Sequence, residues 1–383
     1  MRIGITCYPT YGGSGIVATE LGLELAQRGH EVHFISYANP IRLDPDTPGI
    51  FYHEVEVSTY PLFQFPPYSL ALASRMSEVA QRHALDLLHV HYAIPHSISA
   101  LLAQQMITER RLPFITTLHG TDITLVGADR SYFPITKFSI ERSDGITTIS
   151  EFMRRRTEDF FGIKKPIEVI HNFVNCSLYK PDEDAQRTGP KRILHISNFR
   201  PVKRVLDCIR VFARVRQELE AELVLAGDGP DRGPAENLAR ELGVDRHVRF
   251  LGKQDHMERL IPRMYALHLP SETEAFGLAA LEAMACGVPP VATRAGGVPD
   301  LITDGLDGFL EPVADVERQA ARFIQLLADP ALHQHVAAAA RNTAVTRFST
   351  ELIIPQYERY YEHVCAAAGT STRQVVSNRV AGF

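Results

Sequence analysis

Residues 271–297, SETEAFGLAALEAMACGVPPVATRAGG, join a nearly apolar helical segment to two acidic residues, Glu274 just before it and Glu282 inside it. A segment that is apolar on all sides predicts a buried helix. A carboxylate in such a helix is costly unless a partner satisfies it. Either both glutamates merely favour the positive end of the helix dipole, or they bind ligand hydroxyls. We favour the second interpretation, with an anion bound between them by the free amides at the helix start.

Short apolar runs alternate with helical patterns on both sides of this stretch. Alternation of this kind predicts parallel sheets, so we expect an α/β fold. The predicted strands are RIGITC, EVHFIS, LLHVHY, PFITTLH, GITTIS and IEVIHN in the first half, and RILHIS, AELVLAGDG, HVRFLG, ALHLPS, PPVAT and GFLEP in the second.

A polar stretch with Pro181, Gly189 and Pro190 follows Asn172 and interrupts the rhythm, so it is the best linker candidate. At 383 residues the chain exceeds the size of one typical core. We therefore predict one domain over residues 1–172 and another over 173–351. A helix over about 352–368 should pack back on the first domain, and residues 369–383 should form a frayed tail.

The composition excludes several classes of function. The 40 basic and 45 acidic residues give a net charge of −5 without a basic stripe, which argues against a nucleic-acid binder. No run of 18 apolar residues is present for a membrane span, and the start of the chain lacks the pattern of a signal peptide. The five cysteines are scattered without CxxC spacing, so reduced thiols in a cytoplasmic protein are expected.

Glycines between the first strand and the first helix form a candidate phosphate or acid site. Gly13, Gly15 and Ala18 match the fingerprint GxGxxA, which raises the alternative of a nicotinamide-dependent oxidoreductase. The loop before Gly13 is longer than that fingerprint needs, and the second strand ends without the acid expected for a ribose. The glycines fit better as a backbone approach to a ligand, although a plain turn is the simpler reading.

The loop SNFRPVKR in the second half places Asn198, Arg200 and Lys203 between a strand end and a helix. In a doubly wound sheet such a loop lies at the carboxyl edge, where ligands bind. Positive charge opposes the dipole at a helix N-terminus, so its presence there suggests an anionic ligand such as a diphosphate.

Several histidines follow strands in the first half. His89, His91 and His96 could suggest a metal site, but no acidic ligand accompanies them, and we expect none. His119 ends the strand PFITTLH at a carboxyl edge, and Thr117 shares its face of the strand. A satisfied core histidine is the alternative at this position.

These motifs together resemble the family-4 glycosyltransferases, whose EX7E spacing matches Glu274 and Glu282. The similarity covers nearly the whole chain through GGSG, LHGTD, SNFRPVKR, AGDGP, ETEAFGLAALEAMACGVPPVAT and GVPDLI. The resemblance implies the GT-B architecture, in which two Rossmann-like domains with parallel sheets face each other across a cleft. More narrowly, GITCYPTYGGSGIVATELG, LHVHYAIPHSISA and ISNFRPVKRV are similar to the N-acetylglucosaminyl L-malate synthases of bacillithiol biosynthesis.

The resemblance implies a retaining transfer of N-acetylglucosamine from UDP-N-acetylglucosamine to L-malate, without a metal or other cofactor. The residues it assigns to catalysis are His119, Glu274, Lys203 and Arg200. Those assigned to the donor are Gly13, Gly15, Asn198, Phe276, Gly277, Leu278 and Glu282. Those assigned to the acceptor are Ser14, Tyr92, Thr117, Arg142 and Asn172.

The chain departs from the family pattern at one position. The arginine of the common form GRLxPxKG would align with Asn198, whereas this chain has its arginine two positions later, at Arg200. Lys203 stays in register. Three alternatives stay open: another small acceptor such as a polyol or inositol phosphate, a nicotinamide-dependent oxidoreductase, and a sugar-nucleotide binder without activity. A homodimer is also left open.

Overall fold

The computed structural model describes residues 1–10, 12–58, 61–182 and 189–369. The chain divides into two compact units. One comprises Met1–Ile170 together with the described chain from Ile354 onward, and the other comprises His171–Ile353. The predicted tail, apart from its first residue, lies outside the described residues.

The first unit contains a sheet of seven parallel strands in the order β3-β2-β1-β4-β5-β6-β7. Its strands are β1 (Arg2–Thr6), β2 (Glu31–Ser36), β3 (Ile50–Glu54), β4 (Leu87–His91), β5 (Phe114–Leu118), β6 (Gly145–Thr148) and β7 (Glu168–Val169). Its helices are α1 (Gly13–Gln27), α2 (Tyr68–Arg82), α3 (Ile98–Met106), α4 (Phe133–Arg142) and α5 (Glu151–Phe161), with π-helical turns at Ala93–Ser97 and Asp122–Val126. Because the strands are parallel, the loops that follow them all lie at one edge.

Every strand predicted for this unit is present, but β3 was missed. The segment IFYHE forms the edge strand beside β2. It carries a tyrosine, a histidine and a glutamate, and its Phe51 side chain is 42% exposed. An edge strand with so little burial lacks the continuous apolar run by which the buried strands were recognised.

The second unit contains a sheet of six parallel strands in the order β10-β9-β8-β11-β12-β13. Its strands are β8 (Lys191–Ile196), β9 (Ala221–Ala226), β10 (Val248–Gly252), β11 (Ala266–Leu269), β12 (Pro290–Thr293) and β13 (Phe309–Glu311). Its helices are α6 (Val205–Arg216), α7 (Arg232–Glu241), α8 (Met257–Leu260), α9 (Leu278–Ala285), α10 (Val298–Leu301), α11 (Val316–Ala328) and α12 (Pro330–Arg347). All six predicted strands are confirmed.

The stretch predicted as a linker instead packs in the second unit over its described first part. The Arg341 guanidinium donates to the carbonyl oxygens of Cys176 and Tyr179 at 3.0 and 2.8 Å. Val174 pairs with Ser349 in an isolated parallel bridge. The described first part of this stretch is therefore anchored in the second unit, with Val174, Cys176 and Tyr179 buried, and is not a free connection. Residues 183–188 of this stretch lie outside the described residues.

The last helix, α13 (Thr350–Ala367), packs on the first unit from Ile354 onward. The Tyr360 hydroxyl donates to the Ile146 carbonyl at 3.1 Å and accepts from the Ile146 amide at 2.9 Å. Glu358 pairs with Arg28 at 2.8 Å. Within the described part of the chain, no helix is long and apolar enough to cross a membrane. All five cysteines are buried, and none of them forms a disulfide bond.

Candidate active site

The loop after β8 carries the basic residues predicted to bind a diphosphate. Asn198 and Arg200 are exposed, whereas Phe199 between them is fully buried and anchors the loop in the core. A Cβ atom on Gly227 would lie 1.7 Å from the carbonyl oxygen of Ser197. The AGDGP segment after β9 is therefore rich in glycine because its backbone packs directly against this loop.

Lys203 and Glu274 form a direct ion pair across two carboxyl-edge loops. The Lys203 ammonium donates to the Glu274 carboxylate at 2.6 Å, and the two side chains are 22% and 15% exposed. The Glu272 amide donates to the Val202 carbonyl at 2.8 Å, which holds the same two loops together. Arg200 makes no ion pair with any described residue. Two residues assigned to one ligand from sequence thus lie in contact.

The loop after β12 fixes the backbone at Glu274 from the other side. The Gly297 amide donates to the Glu274 carbonyl at 2.8 Å. A Cβ atom on Gly296 would lie 1.9 Å from that carbonyl oxygen, and Gly296 has a φ of 60°. Only glycine fits there, so the position of Glu274 depends on three neighbouring loops.

Helix α9 begins directly after this loop at the carboxyl edge. Gly277 precedes it with a φ of 100°, in the left-handed region that glycine favours. Its carbonyl accepts from the amides of Ala280 and Leu281 at 2.9 and 3.1 Å. The amides of Leu278 and Ala279, which come before these two in the first turn, have no partner within the helix. They can therefore bind an anion.

Glu282 lies about one turn into α9 and is 7% exposed, so the predicted burial of a carboxylate in this apolar helix is confirmed. The Phe276 side chain is 1% exposed and packs against the rings of His171 and Phe348, with centroid distances of 5.8 and 5.6 Å. Only the backbone of Phe276 can therefore contact a ligand.

The glycine loop of the first unit lies ahead of α1. Gly13 is exposed, and a Cβ atom there would meet nothing within 4 Å. A Cβ atom on buried Gly15 would lie 2.6 Å from the Tyr8 carbonyl oxygen, so packing alone requires this glycine. Gly13 and the half-buried Ser14 remain open to a ligand. Because β1 already ends at Thr6, the intervening loop is long, which disfavours the nicotinamide alternative.

Asp122, which the sequence reasoning missed, organises the turns after β4 and β5. Its carboxylate accepts from the amides of Ala93, His119 and Gly120 at 3.2, 3.2 and 2.8 Å. Burial raises the pKa of this carboxyl to about 6, although the amides oppose the shift. The signal was present in LHGTD, because an aspartate in a turn often bonds nearby backbone amides.

His119 lies at the end of β5, within a small aromatic cluster. Its Nε2 is 2.7 Å from Nδ1 of His91. The Tyr92 ring stacks on it at 5.7 Å, and the Tyr92 hydroxyl is 2.6 Å from Oγ1 of Thr121. Burial lowers the pKa of His119 to about 3, so its imidazole is neutral at neutral pH. His119 can exchange hydrogen bonds with a ligand but does not offer it a positive charge.

Thr117 was predicted to contact the acceptor, and the structure places it in the core instead. Its fully buried hydroxyl is 2.6 Å from His89 Nε2 and 2.6 Å from Thr147 Oγ1. His89 Nδ1 is in turn 2.7 Å from the Tyr361 hydroxyl of α13. The prediction is wrong because α13 covers this face of the sheet, and the Thr117 hydroxyl therefore forms hydrogen bonds within the core and is not available to a ligand.

The assignment of Arg142 to the acceptor is also wrong. Helix α4 ends at Arg142, and the chain then enters β6 at Gly145. A helix that joins parallel strands runs back along the sheet, so its last residue lies at the amino edge, away from the ligand edge. The Arg142 guanidinium lies over the Phe138 ring at 5.1 Å. Arg130 is exposed on the segment between β5 and α4, and this segment begins at the carboxyl edge of the sheet, where ligands bind.

Asn172 belongs to the second unit, although it was grouped with acceptor residues of the first. It is 4% exposed, and its Oδ1 has no hydrogen-bond partner within the part of the chain that the structure describes. A buried polar atom without a partner is costly, so a role in ligand binding stays a prediction for this side chain.

Two protein families match the chain, one over each half. Residues 11–178 match Glycosyltransferase Family 4, and residues 180–343 match Glycosyl transferases group 1. The chain is 47% identical over 371 residues to the N-acetyl-alpha-D-glucosaminyl L-malate synthase of Bacillus anthracis, covering 95% of this chain and 97% of that protein. It is 24% identical over 406 residues to the D-inositol 3-phosphate glycosyltransferase of Mycobacterium marinum, covering 96% and 85%.

Solved structures share the fold. Sucrose-phosphate synthase of Thermosynechococcus elongatus has a TM-score of 0.79 at 22% identity, covering 96% of this chain and 100% of that one. The HepE protein of Anabaena, in complex with UDP and glucose, has a TM-score of 0.80 at 19% identity, covering 94% and 99%. At such identities the likeness shows the architecture alone, and it confirms the predicted α/β fold class.

Proposed function

The chain belongs to the family-4 glycosyltransferases and has their GT-B fold, and we propose that it transfers N-acetylglucosamine from UDP-N-acetylglucosamine to the hydroxyl of L-malate. This reaction would be the first step of bacillithiol biosynthesis, in the cytoplasm. The observation that carries the proposal is the 47% identity over 95% of the chain to the malate synthase of Bacillus anthracis.

The donor would bind the second unit, where Lys203 and Glu274 meet. In the structure each neutralises the other at 2.6 Å. A diphosphate would draw the ammonium of Lys203, while the sugar hydroxyls would donate to Glu274, so both residues would exchange partners on binding. Arg200, which has no ion-pair partner among the described residues, would add a second positive charge. As the bond to the sugar breaks, these cations would stabilise the charge that develops on the departing UDP.

Helix α9 would bind the rest of the nucleotide. Its first-turn amides, from Gly277 onward, suit a phosphate at the helix N-terminus. Glu282, buried about one turn further, would accept hydrogen bonds from the ribose diol. Asn198, exposed on the loop with Arg200, would lie beside the same nucleotide.

The acceptor would bind the carboxyl edge of the first unit. Malate carries two carboxylates, and each needs donors of fixed geometry. We propose that Arg130 binds one carboxylate, in place of Arg142, and that Ser14 with the amides after Gly13 binds the other. Tyr92 would supply a neutral contact next to His119.

The reaction would proceed with retention of the α-configuration. The malate hydroxyl would attack C1 from the face that UDP leaves, and its proton would pass to the departing diphosphate. Neutral His119 would hold the sugar by hydrogen bonds without adding charge. Because protein cations would act on the diphosphate, the reaction would need no metal ion.

Purified protein incubated with UDP-N-acetylglucosamine and L-malate tests the proposal through UDP release and mass spectrometry of the product. Succinate, which lacks the hydroxyl, is the matched negative control. An inositol phosphate and glycerol test the alternative acceptors. We expect a product of N-acetylglucosamine and malate only in the malate arm, with an anomeric coupling constant that reports the α-configuration.

Each other outcome would decide against part of the proposal. Transfer to inositol phosphate or glycerol but not to malate would leave a family-4 glycosyltransferase with a different acceptor. Binding of UDP without release from the donor under any condition would support a binder without activity.

A further inference from the structure

Three histidines of the first unit lie together on a part of the sheet that the proposed transfer does not use. His33 lies on β2, His53 on β3, and His83 directly follows α2. Their ring centroids are 5.1 Å apart for His33 and His53, 4.6 Å for His33 and His83, and 5.1 Å for His53 and His83. The three rings thus form a nearly equilateral triangle. The proposed acceptor residues, by contrast, follow β1, β4 and β5.

The proton positions in this cluster follow from one carboxylate. Nε2 of His33 is 3.0 Å from Glu31, and an ionised carboxylate can only accept. His33 therefore donates through Nε2, and in the neutral ring Nδ1 keeps a lone pair. That Nδ1 is 2.8 Å from Nε2 of His53, which must donate to it. A histidine held by a carboxylate in this way is the arrangement found behind metal ligands.

We propose that His33, His53 and His83 bind a divalent transition metal ion of the zinc class. One ring nitrogen of each lies within 4.8 Å of the others. Nitrogens bound to one tetrahedral zinc ion at about 2.0–2.1 Å lie about 3.3 Å from each other. The ion would take the place of the proton between His33 and His53, that proton would move to Nδ1 of His53 so that its ring stays neutral, and the ring nitrogens would shift by about 0.5–1.5 Å to reach the spacing of zinc ligands. His53 and His83 are half-buried, so they have room to move and a water molecule can complete the coordination.

The surroundings can accept the charge of the ion. Two arginines lie near the cluster, and each is already paired with a glutamate: Arg2 with Glu31 at 3.6 Å and Arg75 with Glu78 at 2.7 Å. A set of imidazole nitrogens suits zinc, copper or nickel, and it does not suit magnesium or calcium.

A site here would join the edge strand β3 to β2 and to the end of α2. Its effect would therefore be on stability, because an ion that binds only the folded chain raises the free energy of unfolding. The site lies apart from the residues proposed for transfer, so it is independent of the proposed function. Chelated protein should keep its transferase activity while losing thermal stability.

The test uses the full chain, stripped with EDTA and dialysed, then titrated with Zn²⁺ by calorimetry and with Co²⁺ by visible absorption. We expect one equivalent per chain, a rise in Tm, the intense absorption of tetrahedral cobalt, and no response to Mg²⁺. His53→Gln should weaken Zn²⁺ binding at least tenfold. Glu31→Gln, which changes a positioning residue, should weaken it about 10–100-fold.

His363→Gln is the matched control, because His363 is an exposed histidine of the same unit. It should bind Zn²⁺ as the unaltered protein does. Should His53→Gln fail to fold, as judged by circular dichroism, His83→Gln replaces it. Equal Zn²⁺ uptake in all variants would mean adventitious binding, and no uptake by the unaltered protein would mean that the cluster is only a hydrogen-bonded stack. Either result overturns the proposal.

Discussion

The ion pair of Lys203 and Glu274 leads to a prediction with an unusual sign: Glu274→Gln should tighten the binding of UDP while it slows the transfer. UDP lacks the sugar that Glu274 is proposed to bind. In the free protein Glu274 therefore only competes with the diphosphate for Lys203, at 2.6 Å. Glutamine has nearly the same shape but no charge, so it releases the ammonium.

The magnitude follows from the exposure of the pair. With side chains 22% and 15% exposed, the pair is partly screened by solvent. Such pairs contribute about 0.5–1 kcal/mol. Since 1.4 kcal/mol corresponds to about a factor of ten, the affinity for UDP should rise about two- to fivefold. Turnover should fall, by about 10–100-fold, because a charged partner of the transferred sugar is lost.

Calorimetry with UDP at constant ionic strength measures the first effect, and UDP release at saturating donor and malate measures the second. Lys203→Met removes the cation and should weaken UDP binding. Glu272→Gln is the matched control, because Glu272 is an exposed glutamate on the same loop and should change neither quantity. Unchanged or weaker UDP binding by Glu274→Gln would refute the exchange of partners.

Further predictions concern the nucleotide, the metal requirement, the acceptor and pH. Glu282→Ala should weaken donor binding about 10–100-fold in calorimetry, because a buried carboxylate that accepts hydrogen bonds is lost. EDTA should change the rate of UDP release by less than about twofold, because protein cations are proposed to stabilise the diphosphate. If EDTA abolishes the rate and manganese or magnesium restores it, a metal ion also acts on the diphosphate. Arg130→Ala should raise the KM for malate more than about tenfold without changing the affinity for UDP. Arg142→Ala, at the amino edge of the sheet, should leave malate kinetics unchanged. A raised KM in Arg142→Ala together with an unchanged KM in Arg130→Ala would exclude Arg130 from the acceptor site. Burial lowers the pKa of His89 and His119 to about 3, whereas the same side chains in the unfolded chain have a pKa of about 6.5. The unfolded state therefore binds more protons, and the free energy of unfolding should fall as pH decreases from about 6.5 towards 4. Urea titrations at several pH values measure this free energy, and a value independent of pH would contradict the prediction.

The buried strands could be predicted because burial on both faces leaves a continuous apolar run in the sequence. The edge strand β3 could not, because Phe51 is 42% exposed and the strand continues with the polar residues His53 and Glu54 instead of an apolar run. Glu274 and Lys203 could be placed at one site because both follow strands at the carboxyl edge. Their direct contact could not be predicted, since it depends on the packing of loops 71 residues apart.

The errors in the first unit have definite physical origins. Arg142 was judged by its charge without regard to the direction of its helix, which carries it to the amino edge. Thr117 was placed correctly on its strand face, but the helix that covers that face comes from the end of the chain, where Tyr361 reaches His89. Long-range contacts of this kind leave no local pattern.

The order of synthesis gives the terminal helix a particular role. The first unit is discontinuous in the chain, because residues 171–353 are translated before the helix that packs on its sheet. A ribosome therefore releases all seven strands of that sheet while the backbone of Ile146 still lacks its bonds to Tyr360. The second unit, which is one continuous segment, can fold during translation. The first unit reaches its final form only after the helix α13 has left the ribosome, long after the seven strands of its sheet have been made.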